Sequence, residues 1–283
     1  VKLLWTKEDD IQNDCYRPIC HHVMRGAVKG ATPVQFSHVM AEAGMRPSAA
    51  RKSGMEFPYE LPGTSFIYSS VSAPVPTWFW RSVEHSQINV VNECFLDELA
   101  HAAGQDPVAF RRSLIKDPRM RKVFDIVVEK SGWGKPLAKG KGRGVACTNA
   151  YGSYAAHVAE VSVQGDVIRV ERIVAAVDPG LVINPKGVEA QIQGAASDGV
   201  ATALHAAITV KDGEIEQSNW HNYEWLRFDS APSVEVHIAG EGDSPGGMGE
   251  VGYPGVPAAV ANAVFAATGK RVRKFPIRVS ELE

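Results

Sequence analysis

Cysteine is scarce: Cys15, Cys20, Cys94 and Cys147 are the only four in 283 residues. They are too few and too irregularly spaced for a disulfide framework, and no pattern among them could ligate an iron–sulfur cluster. Nor does the chain hold the ~18 consecutive apolar residues of a membrane helix, so no transmembrane segment is expected. Neither sign of charge is in excess. Thirty Lys and Arg face thirty-two Asp and Glu, a formal charge of −2, which argues against nucleic acid because counterion release needs a basic surface. A small-molecule ligand is the expectation. An initiating Met is also missing, and Val1-Lys2-Leu3-Leu4-Trp5 is far too short for the core of a signal peptide. A processed or truncated product is expected, and the cysteines leave its compartment open.

What is present is globular material, with 45% apolar and 22% charged residues, enough for one large or two medium domains. After the polar start Thr6-Lys7-Glu8-Asp9-Asp10, alternation over 22–28 suggests a strand. Residues 45–63 mix Pro, Ser, Gly and charge without a period and read as a long loop. Ile88, Val91, Phe95, Leu99 and Ala102 recur at spacings of three and four, predicting a helix over 87–103 with that face in the core. Asp106-Pro107 and Asp117-Pro118 each give an N-cap followed by Pro, opening helices over 108–115 and 123–131. Gly132 fits the stop after the second.

Beyond the basic, Gly-rich linker 136–144 the character changes. Residues 155–163 and 167–174 alternate around Gln164-Gly165-Asp166 as a hairpin. Asn184-Pro185 opens a helix in which Val188, Ile192, Ala195 and Gly199 share an apolar face with Gln191. A second hairpin is expected over 208–219 around Lys211-Asp212-Gly213, and a helix over 257–268 ended by Gly269. Helices and hairpins in separate runs predict an α+β fold. The linker divides it into 1–144, with the helical cluster 87–132, and 145–283.

The most unusual segment is Ser244-Pro-Gly-Gly-Met-Gly-Glu-Val-Gly-Tyr-Pro254. Its glycines let backbone approach a ligand closely, and Glu250 has no Lys or Arg between 228 and 269 to neutralise it locally. Burial there would raise its pKa and suit a general base; a solvated surface turn fits the same residues. Gly247-x-Gly249-x-x-Gly252 matches the dinucleotide fingerprint, but Pro245 and Pro254 bracket it and the stretch downstream is basic, Lys270 to Lys274, where a ribose-binding acid is required. Gln191 on an apolar helix face is a buried-amide candidate whose partners are either a cofactor or neighbouring backbone. Trp78-Phe79-Trp80-Arg81 stands directly before a helix start, suited to an anion or simply to packing. Cys15-x4-Cys20-His21-His22 matches no zinc template, and no metal ligand set is expected.

Gly246 to Gly269 with its Gly249-Glu250 pair, Asn184-Pro185 with Gln191-Ile-Gln-Gly-Ala195, and Trp80-Arg81-Ser82-Val83 with His85-Ser86 together resemble the molybdopterin-binding large subunit of molybdenum hydroxylases. This is the xanthine dehydrogenase and aldehyde oxidase family, and its most similar branch is that of the isoquinoline 1-oxidoreductase beta subunit. The resemblance runs over nearly the whole chain. It implies a molybdenum–pterin cofactor, in the cytosine dinucleotide form, and oxidation of an aldehyde or hydroxylation of an N-heterocycle with water as oxygen source. It makes Glu250 the general base and places Gln191, Trp80, Arg81, Gly247, Met248 and Gly249 at the cofactor. Ser82 and Glu84 depart from small, Gly-rich positions of the family.

The family's Gly-Gln-Gly cofactor segment occurs nowhere in this sequence. The resemblance therefore implies a C-terminal portion completed by the remainder of the large subunit. It also implies a small partner subunit with two-iron two-sulfur clusters and a further electron acceptor such as a cytochrome. Members of the branch are bacterial, cytoplasmic or periplasmic. A nicotinamide-dependent oxidoreductase and a non-catalytic interaction subunit are the alternatives.

Overall fold

The computed structural model describes residues 1–44, 57–240 and 242–283; most of the loop expected over 45–63 lies outside them. The chain opens with a helix where only a polar lead-in was expected. In α1 (Lys7–Asn13) the Thr6 hydroxyl accepts from the Asp9 amide while the Asp9 carboxylate accepts from the Thr6 amide, a reciprocal cap that carries a short helix burying nothing. Strands β1 (Cys20–Lys29) and β2 (Thr32–Ala43) form an antiparallel pair, with β3 (Thr64–Val71) parallel to β2.

The helical cluster follows as expected: α2 (His85–Ala102), α3 (Pro107–Leu114) and α4 (Pro118–Ser131). The Asp106 and Asp117 carboxylates cap α3 and α4, and Gly132 stops α4 at φ 65°. The buried face of α2 is only partly the expected one. Ile88 and Leu99 are buried, but Ala102 is exposed, and Asn89, Asn92, Glu93 and Asp97 are buried instead. The reason is polar pairing that apolar periodicity does not register. The Glu93 carboxylate accepts from Arg111 Nε at 3.0 Å and from the Tyr59 hydroxyl at 2.6 Å, and Asp97 from Arg271 at 2.7 Å.

Strands β4 (Lys141–Ala150), β5 (Ser153–Gln164) and β6 (Val167–Asp178) then meander antiparallel, after which α5 (Pro185–Leu204) and a short hairpin of β7 (Val210–Lys211) and β8 (Glu214–Ile215) lead to β9 (Ser233–Ile238), parallel to β6. The resulting second sheet has the order β4-β5-β6-β9. On one face Val145, Val158 and Val174 pack with Met120, Val123 and Phe124 of α4. On the other, Ala146, Ala159 and Ile173 pack with α6 (Gly255–Thr268). A sheet covered on both faces needs apolar residues at successive positions, which explains the near-continuous burial of β5.

The end of the expected linker is already strand. Gly142 and Gly144 belong to β4 and lie directly against α6: a Cβ at Gly144 would stand 2.2 Å from the Ala259 carbonyl oxygen and 2.3 Å from the Ala263 amide nitrogen. Both neighbours are backbone of a buried helix and cannot yield. Gly144→Ala is expected to cost about 3 kcal/mol, the upper end for overpacking, read as a lowered urea midpoint. Gly187→Ala, whose Cβ would meet nothing closer than 3.5 Å, should leave the midpoint unchanged or raised.

Candidate active site

Residues 246–254 form an irregular loop leading into α6, with no strand before the Gly247-x-Gly249-x-x-Gly252 run, so the dinucleotide geometry is absent. Its inner side is pinned. The Gly246 amide donates to the Pro179 carbonyl at 2.7 Å and the Gly247 amide to the Tyr151 carbonyl at 2.8 Å. A Cβ at Gly246 would fall 2.3 Å from Ser153 Oγ, and one at Gly247 2.8 Å from Tyr151 Cβ. Gly249 differs: a Cβ there would meet nothing within 4 Å. The first two glycines are needed for packing, whereas Gly249 faces open space.

The segment before α2 closes onto this loop. Arg81 donates from Nε to the Gly249 carbonyl at 2.9 Å, from one terminal nitrogen to Gln191 Oε1 at 3.0 Å, and from the other to Asp198 at 2.6 Å. The Ser82 amide donates to Glu250 Oε1 at 2.9 Å, and its hydroxyl to the Glu250 carbonyl at 2.6 Å. Trp80 Nε1 donates to the Tyr253 hydroxyl at 3.1 Å, which in turn donates to Thr202 at 2.9 Å. The structure thus brings together Trp80, Arg81, Gln191, Gly249 and Glu250, which are remote in sequence. Met248 packs beside Val251 and Ile192.

Two expectations need correction. Gln191 is exposed rather than buried. Val188, Ile192, Ala195 and Gly199 do form the buried stripe of α5, but Gln191 lies at its edge, on a flank shared with Gly194 and Asp198 at spacings of three and four. Arg81 lies over that flank. The local lack of a cation near Glu250 also needs qualification, because Arg81 arrives from 168 positions away; its ion pair, however, is with Asp198. Trp78 and Phe79 are exposed and Tyr253 is fully buried, whereas Trp80 is half-buried and joins the site through its bond to Tyr253.

Sequence reasoning missed Asp198, Thr202 and the role of Ser82. Asp198 was findable, seven residues after Gln191 on the same helix flank. Separately, a groove of about 900 Å³ is lined by Arg17, Trp80, Gln87, Thr202 and Tyr223, with Glu250 not among its lining residues.

The donor set suits the polar edge of an organic cofactor. An exposed amide and a guanidinium with a part-exposed side chain flank a glycine with open space before it. Among the described residues no group of His, Cys, Asp and Glu is arranged to hold a metal ion, and His22 spends Nδ1 on His38, so the Cys15 to His22 run forms no cluster.

Known proteins resemble this chain in sequence and in fold. Residues 93–232 match the molybdopterin cofactor-binding domain. The chain is 28% identical over 300 residues to the beta subunit of isoquinoline 1-oxidoreductase from Brevundimonas diminuta, covering 98% of this chain and 38% of that protein. It is 31% identical over 241 residues to a nicotinate dehydrogenase subunit of Pseudomonas putida, covering 78% and 20%. The aldehyde oxidoreductase of Desulfovibrio gigas superposes with a TM-score of 0.81 at 14% identity, over 96% of this chain and 49% of that one. The chain belongs to the molybdenum hydroxylase family, with the mixed helix-and-sheet fold of its cofactor-binding domains, and spans less than half the length of these relatives. Among the described residues no helix is long and apolar enough to cross a membrane.

Beneath the loop lies His157, fully buried, with neither ring nitrogen partnered among the described residues. Burial pushes its pKa down to about 4, as it does for His85. His22 and His38, joined at 2.8 Å and continued to Asn92, fall to about 3 and about 4, again chiefly through burial. All four start from 6.5, so between pH 6.5 and 4 the unfolded chain binds protons that the native one refuses. Their contribution to stability is complete above pH 6.5 and is lost as the pH falls toward 4. The urea midpoint should drop steadily over that window, and His157→Leu should make the drop shallower; an unchanged slope would show that His157 is not one of the groups responsible.

Proposed function

We propose that this chain is part of the catalytic subunit of a molybdenum-dependent oxidoreductase that hydroxylates an N-heterocycle or oxidises an aldehyde, with water as the oxygen source. The convergence of Glu250, Arg81, Gln191 and Gly249 across 110 to 168 residues of sequence carries the reading. The net reaction turns a C–H bond and water into a C–OH bond, two electrons and two protons. A molybdenum–pterin cofactor, in its cytosine dinucleotide form, supplies the two-electron acceptor when bound. Glu250 takes a proton from the oxygen donor. Only its Oε1 carries a hydrogen bond among the described residues, so Oε2 is the receiving atom. Arg81 and Gln191 hold the polar edge of the cofactor, Gly249 lets it approach while Gly247 and Met248 anchor the loop behind it, and Trp80, braced by Tyr253, walls one side.

Electrons leave through two-iron two-sulfur clusters of a small partner subunit and pass to an acceptor such as a cytochrome. Cys94 and Cys147 of this chain do not substitute. Cys147 is buried, and burial pushes the Cys94 thiol up to about 12, whereas a cluster needs thiolates. The exposed Trp5, Trp78, Phe79, Ile183 and Phe228 suit packing against the remainder of the large subunit.

Metal and cofactor analysis of the purified enzyme should find molybdenum with a pterin dinucleotide; bound NAD, or neither, would remove this reading. Glu250→Gln, nearly isosteric, should lower kcat by at least ~100-fold, the low end for loss of a general base, with molybdenum content unchanged. Loss of metal together with activity would make Glu250 structural instead.

A further inference from the structure

We propose that Ser82 is a positioning residue for the Glu250 carboxylate, acting through both its amide and its hydroxyl. The inference rests on the reading of Glu250 as proton acceptor. Ser82 is fully buried, at φ 72°, and Val83 follows at φ 48°. Both stand in the left-handed region that residues with a Cβ avoid, and the second is β-branched. Such backbone persists only where its surroundings over-determine it, and it clusters at functional sites.

Here the surroundings can be named. The Val83 amide donates to the Trp80 carbonyl at 2.8 Å, closing a turn, and the Ser82 carbonyl accepts from His85 at 2.9 Å, starting α2. This conformation leaves the Ser82 amide outside the helix ladder, and it donates to Glu250 Oε1 at 2.9 Å. The hydroxyl donates to the main-chain carbonyl of the same glutamate at 2.6 Å. One residue therefore holds Glu250 at its backbone and at one carboxylate oxygen. The other oxygen, Oε2, is left to receive a proton.

Glycine would reach φ 72° without steric cost. It would keep the amide bond and lose only the hydroxyl bond. A serine at this position thus accepts strain in order to hold the Glu250 carbonyl, and the loop it holds, residues 246–254, belongs to no helix or strand. Without that second tie the Glu250 carbonyl would keep only the Tyr253 amide, at 3.1 Å, and the nearest remaining anchor of the loop from this segment would be the Arg81 bond to Gly249.

Two variants of the intact enzyme, Ser82→Ala and Ser82→Gly, test this. In each, kcat should fall about tenfold, the effect of one ordinary hydrogen bond, while KM and molybdenum content stay unchanged. Hydrogen–deuterium exchange of peptides spanning 80–84 and 246–252 should rise, with α6 unaffected. The glycine variant is strain-free, so misfolding does not confuse its result. Wild-type turnover in Ser82→Gly would show that the hydroxyl only offsets backbone strain and would overturn the proposal, as would unchanged exchange in both variants. Retained activity in Glu250→Gln sinks the proton-acceptor reading separately. In that event Glu250→Ala still reports on the clamp: exchange at 80–84 must rise when the acceptor is removed, and if it does not, the clamp is absent.

Discussion

At Gly142 and Gly144 helix α6 lies against β4 with no strand side chain between them. Gly142 and Gly144 present bare backbone to Ala259 and Ala263, and Asn262 adds hydrogen bonds from its amide to the carbonyls of Val145 on β4 and Glu93 on α2. A helix seated this closely has essentially one position, because any displacement either opens a void or drives backbone into backbone. The other end of α6 is fixed in the same way. A Cβ at Gly255 would stand 2.5 Å from His157 Nδ1, so the first turn rests on β5. The loop carrying Glu250 ends where that turn begins, and its placement is inherited from the packing of small residues far from any solvent.

From the other side, the segment 80–82 needs a side chain that reaches several acceptors at once. Arg81 touches the Gly249 carbonyl, the Gln191 carbonyl and amide oxygen, and the Asp198 carboxylate. A planar fork of five donors can do this, whereas an ammonium presents a single point of charge. The pair with Asp198 is partly exposed and contributes little stability by itself. Its value is geometric: with the guanidinium fixed at α5, the bond to Gly249 sets the distance between helix and loop.

Those two constraints explain what was legible in the sequence. The caps at Asp106, Asp117 and Asn184, the stops at Gly132 and Gly269 and the hairpin turn at Gly165 are local chemistry, and the structure has each where the residue types put it. Cofactor-domain membership was also legible, because the segments that carry the resemblance, 80–86, 184–195 and 246–269, are each short and contiguous. What was not legible depends on contacts between distant residues. The glycines of 136–144 read as a linker because nothing nearby shows that a helix from 255–268 will rest on them. The buried polar positions of α2 were not predicted, because Arg111 and Arg271, which make their burial tolerable, lie outside the helix. Gln191 read as buried because a stripe of four residues does not reveal where its edge falls.

A proton acceptor has to meet its reaction partner within hydrogen-bonding distance, which favours flexible, glycine-rich backbone, and has to stay there, which favours rigid elements. Residues 246–255 divide these demands between the two sides of one loop. On the inner side Gly246, Gly247 and Gly255 are pressed onto Ser153, Tyr151 and His157 so tightly that no side chain would fit. On the outer side Gly249 opens into free space, and Glu250 is steadied by Ser82 rather than by a covering layer. The buried side is not fully satisfied, since Ser153 Oγ and both nitrogens of His157 lack partners among the described residues. Desolvating such groups is costly, and a site selected for stability alone would replace them with apolar side chains. Their presence directly beneath the loop places a stability cost at the candidate site, where local strain at Ser82 and unpaired polarity at His157 are borne by the packing of α6.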